Sequence, residues 1–339
     1  MKKIFIAVLA VAALASCSKE QTVNVDKGVA IGFDTFVENS TRANDLTVGN
    51  FDFGVYGTVT KGNSALIFNN QEVTKTFTYT PPVYWIANAS YTFGAFAPYT
   101  GRAWSYKLAG TADTDKIHAE NGTVTFNNQT AAANQDFIYA YQTATTGDLK
   151  TQPETVKFTF SHMLSKVAFK FTNTFADDGR TSLKVYNVKI NNTALEATMP
   201  IANGVDGVWA AETDNNDLVV AFGKAAAKDV ALFGNGEFFP VAHQYIIPVK
   251  RTYNITFSVD LYMAGVYLAT YDHEIDAVID FAKNGNYSLN VKLAPDTVNP
   301  DAQLWPIEFS VDRIEDWDNG NTVDTDDPAD GEKDVYPLN

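Results

Sequence analysis

The residues able to do chemistry are few and far apart. The chain has one cysteine, Cys17, and four histidines, His118, His162, His243 and His273. Metal or nucleophile chemistry needs such groups at short, regular spacing, as in His-Glu-x-x-His or paired cysteines. Neither spacing occurs, and there is no Gly-x-Ser-x-Gly elbow and no glycine-rich phosphate loop. His162 stands in the apolar run FTFSHMLSKVAF, which suits a packed, hydrogen-bonded structural histidine. The acidic stretch 312–334 offers oxygen atoms for calcium, but a calcium loop alternates its ligands around a glycine at a fixed place. Asp316 and Asp318 alternate and then meet Gly320; Asp324 and Asp326 alternate and then meet Pro328. Neither run fits, so the stretch reads as a solvated acidic tail. No enzymatic site, no metal and no cofactor is expected.

The cysteine itself points to a different chemistry. Lys2 and Lys3 precede the apolar run IFIAVLAVAALA, residues 4–15. Twelve residues are too few to span a bilayer, which takes roughly 20, so the run reads as an export signal. It closes with LASC, Leu14 to Cys17, which resembles the lipobox of bacterial lipoproteins, where the cysteine is acylated and becomes the mature N-terminus. With no second cysteine an intrachain disulfide is impossible, and stability must come from packing. A formal charge of −15 argues against a nucleic-acid partner.

The remaining residue of interest is Arg42, the only arginine among the first hundred residues, in the stretch FVENSTRANDL. Its small polar neighbours make an exposed loop, the kind of segment proteases cut. On the residues alone it is either a cleavage site or a solvated loop charge.

The elements around these residues are strands. Runs rich in Val, Ile, Phe, Tyr and Thr recur between Gly, Asn, Asp and Pro clusters. In VAIGFDTFV, Val29, Ile31 and Phe33 share one face; in LWPIEFSVDRIEDW, Trp305, Ile307, Phe309 and Val311 do. The spacing predicts an all-β chain with little helix, in two tandem β-sandwich domains divided near the polar stretch that ends at Pro153. The expected division is a signal segment 1–17, an N-terminal strand segment 18–42, a first domain 43–153, a second domain 154–320 and an acidic tail 321–339. SHMLSKV, 161–167, is expected to form one helical turn capped by Ser161. The aromatics around Tyr84, Trp85 and Trp104 read either as sandwich interior or as a carbohydrate platform.

Several segments, taken in order, carry a resemblance: FDTFVENSTRAND, VYWIANASYTFGAFAP, DFIYA, VKFTFSHMLSKVAFKFT, YIIPV, NGNYSLNVKL and IEFSVDRIEDWDNG. Together they resemble the fimbrillins, the subunits of type V pili, and their fimbrillin-like relatives. The resemblance implies transthyretin-like, Greek-key sandwiches and a lipoprotein precursor carrying palmitate at Cys17 in the outer membrane. It also implies an arginine-specific protease that cuts between Arg42 and Ala43 and frees the segment bearing Val29, Ile31 and Phe33. The chain from Ala43 onward keeps a net charge of −16. The emptied groove would then accept a strand from another pilin subunit, the same or related, and build an extracellular fimbria that meets a host or bacterial surface ligand. The expected donor is the C-terminal strand with Trp305, Ile307, Phe309 and Val311, which on pattern equally suits the last strand of its own sandwich. Two other readings stay open: a monomeric outer-membrane lipoprotein that binds glycans or host surfaces, and a pilus anchor that is never cut.

Overall fold

The computed structural model of the chain describes residues 28–37, 51–109, 118–128, 134–175, 179–211, 217–240, 243–294 and 308–314. Cys17, Arg42, Ala43, Trp305 and Ile307 lie outside these residues, as do the signal segment and the acidic tail. The strands of the first half are β1 (Phe33–Val37), β2 (Phe53–Lys61), β3 (Asn63–Val73), β4 (Ser90–Ala97), β5 (Trp104–Leu108), β6 (Gly122–Asn127) and β7 (Ile138–Thr145). Next come β8 (Val156–His162), β9 (Ser165–Asn173), β10 (Thr181–Ala194), β11 (Glu196–Ala202), β12 (Val205–Asp206), β13 (Ala210–Ala211) and β14 (Asp217–Phe222). The last are β15 (Gly236–Phe238), β16 (Gln244–Ile246), β17 (Lys250–Met263), β18 (Val266–Asp280), β19 (Asn286–Leu293) and β20 (Glu308–Ile314). Among the described residues the only helical element is one 3-10 turn, Ala227–Asp229. The chain is all-β, as its alternating pattern predicts.

Among the described residues, four sheets carry three cores. The first sheet runs β1-β8-β7-β4-β2-β3. One of its faces buries Ile31, Phe33, Phe53, Phe68, Phe93 and Phe158 together. Its other face presents Tyr56, Phe96 and Tyr139 to Trp104, Tyr106, Phe126 and Met199. Those partners lie on or beside the second sheet, β12-β11-β6-β5, with β13 on β11. Period-2 alternation does this work: in β4, Phe93 and Ala95 enter one core while Phe96 enters the other. The second sandwich packs β15-β9-β19-β20 against β14-β10-β17-β18 around Phe169, Phe171, Val185, Ile255, Phe257 and Leu289.

The sheets do not divide at residues 153/154. β8 stays in the first sheet, between β1 and β7, and β11 from residues 196–202 pairs with β6. The polar stretch before Val156 is therefore a connection inside one sheet. The expected helical turn at 161–167 is also absent: β8 runs through His162 and β9 begins at Ser165. A serine cap contributes about 1 kcal/mol, whereas burying Val167, Phe169 and Phe171 contributes about 1.5–3 kcal/mol each, so the strand wins.

His162 is packed as its apolar context predicts. Its side chain is fully buried, with Nδ1 2.9 Å from the equally buried Asp136 carboxylate. His273 is half-buried against Phe257, with ring centroids 5.0 Å apart. Desolvation lowers its pKa from 6.5 to about 4, against the opposing pull of Asp272. Between those values the unfolded chain binds a proton that the folded chain excludes. Stability is therefore expected to fall as pH drops through this window, by up to about 3 kcal/mol. Urea midpoints measured from pH 7 to pH 4 check this, and His273→Leu should flatten that part of the profile.

Candidate functional site

The site is the groove filled by the first described segment, residues 28–37. This segment changes partner along its length. At Ala30 it makes an antiparallel bridge to Tyr84. The Ile31 N–H donates to the Val83 carbonyl at 2.8 Å and the Trp85 N–H to the Val29 carbonyl at 3.0 Å. From Gly32 onward it turns to β8: the Val156 N–H donates to the Gly32 carbonyl at 2.9 Å. β1 then runs parallel to β8, Phe33 opposite Val156 through Val37 opposite Phe160. The alternation that joins Val29, Ile31 and Phe33 is real, but two different neighbours satisfy it.

β1 is an edge strand, held by one ladder. Its inward side chains nevertheless lie at the centre of a core. Ile31 is 1% exposed and Phe33 is 4% exposed, while Val29 packs partly buried beside them. The Phe33 ring stacks on Phe158 at 5.7 Å. It meets Phe68 at 5.4 Å, Tyr79 at 5.6 Å, Phe93 at 6.0 Å and Phe53 at 6.4 Å. Phe68 belongs to β3, the opposite edge of the same sheet. The sheet is thus curled until its two edges face each other, and Phe33 fills the gap between them. Phe36, on the outward face, is 59% exposed.

Polar groups close the upper end of the groove. The Tyr79 hydroxyl donates to the Ile31 carbonyl at 2.7 Å. Burial raises the Tyr79 phenol above its ordinary range, so it remains a donor. Withdrawing residues 28–37 would leave this hydroxyl with only its longer contacts to the Val83 backbone, at 3.3 and 3.4 Å, would free backbone groups of 83–85 and one side of β8, and would uncover the aromatic floor. An extended chain of matching apolar alternation restores all of these at once.

The other expected residues fall as follows. Phe309 and Val311 lie in β20, which pairs antiparallel with β19 of the same chain over Glu308–Ile314. Phe309 is buried in the second sandwich and Val311 packs against it, so in this state both serve their own sheet. Trp85 and Trp104 are buried, and the Trp104 indole N–H donates to the Pro98 carbonyl at 2.7 Å. Of the expected aromatic platform only Tyr84 is exposed. Sequence reasoning missed Phe158 and Tyr79 as groove residues. The alternation of Val156, Phe158 and Phe160 was the available signal, but it does not say which strand lies alongside.

A model of the fimbrillin-like family matches residues 41–317. Among solved structures, the chain is similar to a fimbrial protein from Bacteroides vulgatus, with TM-score 0.62 and 16% identity, covering 86% of this chain and 100% of that one. It is also similar to a fimbrial anchor protein from Porphyromonas gingivalis, with TM-score 0.39 and 9% identity, covering 84% of this chain and 97% of that one. No curated protein matches.

Proposed function

The chain belongs to the fimbrillin-like family, and from that premise we propose that it is a structural pilin subunit, made as a lipoprotein and assembled by strand exchange. The family sets a pilus-type structural or adhesive role at the cell surface, and implies a non-enzymatic protein. Under the finer reading, Cys17 carries the lipid that holds the precursor in the outer membrane. An arginine-specific protease cuts between Arg42 and Ala43, and residues 18–42 depart with β1. A strand from another subunit takes the groove.

One observation carries this reading. The strand upstream of Arg42 is a single-ladder edge strand, yet its side chains complete the aromatic core. Such a strand is joined weakly by backbone and strongly by side chains. Its loss leaves a groove selective for large apolar residues at alternate positions. Burying Ile31 and Phe33 equivalents contributes about 1.5–3 kcal/mol each, before ordering costs. Head-to-tail filling does not close on itself, so it yields a filament.

The donor would be the segment with Trp305, Ile307, Phe309 and Val311. It must first leave β19, giving up the seven cross-strand partners from Lys292 to Asn286. Donation is therefore an exchange between two occupied places.

The test is native cleavage with an arginine-specific protease, followed by N-terminal sequencing and light scattering. A new N-terminus at Ala43 with growing oligomers is the expected result. Cutting without growth would assign the subunit to the filament end or to a different donor. A resistant Arg42 in a stable monomer removes the switch and leaves the uncut anchor.

A further inference from the structure

The strand that fills the groove has one flaw. Thr35 faces the same way as Phe33, lies opposite Phe158 in the ladder and is 7% exposed. Its Oγ1 is buried and has no hydrogen-bond partner among the described residues. A buried hydroxyl left without a partner weakens the hold on its strand by roughly tenfold. Valine has nearly the same shape and no hydroxyl, so it would suit this place better.

The backbone of the same strand says what else would fit. Ala30 faces Tyr84, but the two bonds of this bridge are made by its neighbours, from the Ile31 N–H to Val83 and from the Trp85 N–H to Val29. The Ala30 N–H is thus turned away from Tyr84, and a proline can stand there without losing either bond. A Cβ added at Gly32 would meet nothing nearer than the Thr155 hydroxyl at 3.5 Å, an ordinary contact, so a larger residue is tolerated. Asp34 and Phe36 are exposed, so their places accept polar residues. The run WPIEFSVD, 305–312, meets these conditions place for place when set beside VAIGFDTF, 29–36. Pro306 falls at Ala30, Ile307 at Ile31, Glu308 at Gly32, Phe309 at Phe33 and Val311 at Thr35. A slip of one residue either way would turn Phe309 and Val311 outward.

We propose that Thr35 makes residues 28–37 a provisional occupant, and that residues 305–311 of a second copy take the groove in this one register, parallel to β8, with Phe309 in the place of Phe33 and Val311 in the place of Thr35. This rests on the strand-exchange reading and adds the partner segment, its register and the residue that sets the direction of exchange. Both occupants bring an isoleucine and a phenylalanine to the same rings. Phe309 and Val311 also pack in their own sandwich before they leave it, so the exchange of apolar contacts is close to balanced. The Thr35 hydroxyl tips it, because exchange returns that group to water. In the uncut chain the covalent link from β1 to β2 holds the strand at high effective concentration and hides the bias. Cutting at Arg42 removes the link.

The test uses residues 18–339 cut at Arg42, with a fluorophore on the N-terminus of the severed strand and the protease then inhibited. Synthetic peptides of residues 28–41 and 303–312 are added as competitors, and the half-displacing concentration is read by fluorescence polarisation. Thr35→Val in the first peptide is expected to lower it about tenfold. Val311→Thr in the second should raise it by the same factor, because both changes read one pocket. Ser310→Val, on the outward face, should stay within about twofold. Independently of exchange, Thr35→Val in the uncut chain should raise the urea midpoint, and an unchanged midpoint would overturn the proposal. If neither unaltered peptide displaces the strand, strand exchange itself fails and the proposal falls with it. If both displace it but the changes at Thr35 and Val311 have no effect, exchange stands and this proposal alone is overturned. Tighter binding with Ser310→Val would reveal a one-residue slip and overturn the register.

Discussion

The chain carrying Phe33→Ala is expected to lose about 3–5 kcal/mol of stability, the usual effect of truncating a fully buried phenylalanine. The cavity would open among five rings, from Phe53, Phe68, Tyr79, Phe93 and Phe158. None of these can collapse into it easily, because Phe53, Phe68, Phe93 and Phe158 are fixed on four different strands of one curled sheet and Tyr79 on the connection after β3. Phe36→Ala is the control. It alters the same strand at its exposed face, and surface changes of this kind stay within about 0.5 kcal/mol. Urea unfolding of the two variants separates core filling from loss of strand propensity. A second readout bears on the proposed switch. After cleavage at Arg42, the severed N-terminal peptide should dissociate roughly two to three orders of magnitude faster with Phe33→Ala, since each 1.4 kcal/mol is tenfold. If both peptides leave at one rate, residues 28–37 are not held by the aromatic floor and the acceptor groove loses its basis.

The second large effect is expected at His162 and Asp136. The pair lies where β7 begins and β8 ends: Ile138 is opposite His162 across the ladder. Asp136 Oδ1 accepts the Phe137 N–H at 2.8 Å, while Oδ2 faces His162 Nδ1 at 2.9 Å. Both side chains are wholly buried, so removing one takes from the other a close polar partner that water cannot replace. His162→Ala or Asp136→Ala alone is expected to cost about 3–5 kcal/mol. The double variant should cost clearly less than the sum, because the contact between the two can be lost only once. A double-mutant cycle by urea denaturation measures the difference. Additive losses would mean that the two residues act through separate partners.

Much of the fold was legible because β alternation is a local signal. Val156, Phe158 and Phe160 all enter the core, as their spacing indicates. Ile31 and Phe33 are buried for the same reason. What alternation lacks is any statement about partners. β1 lies beside β8, more than a hundred residues downstream, and in parallel, so no turn sequence announces the pairing. The boundary placed at 153/154 failed in the same way. A polar stretch marks a surface connection, but β7 and β8 on either side of it share a sheet. The expected helical turn at 161–167 read Ser161 as a cap, although Val167, Phe169 and Phe171 already showed the period of a strand. Cys17, Arg42, Ala43, Trp305 and Ile307 remain readings from sequence, since they lie outside the described residues.

The pairing of β11 with β6 bears on how the molecule is made. The first sandwich is not a continuous stretch of chain, because its second sheet takes β11, β12 and β13 from residues 196–211. A polypeptide made from its N-terminus cannot close that sheet until residue 211 has emerged. Until then Trp104, Tyr106 and Phe126 have no opposite wall of Met199 and Trp209 to pack against. Such long separations between contacting strands slow folding and prolong exposure of apolar surface. The nascent first half is the period of greatest aggregation hazard, and a chaperone that shields it would act before the second sandwich exists.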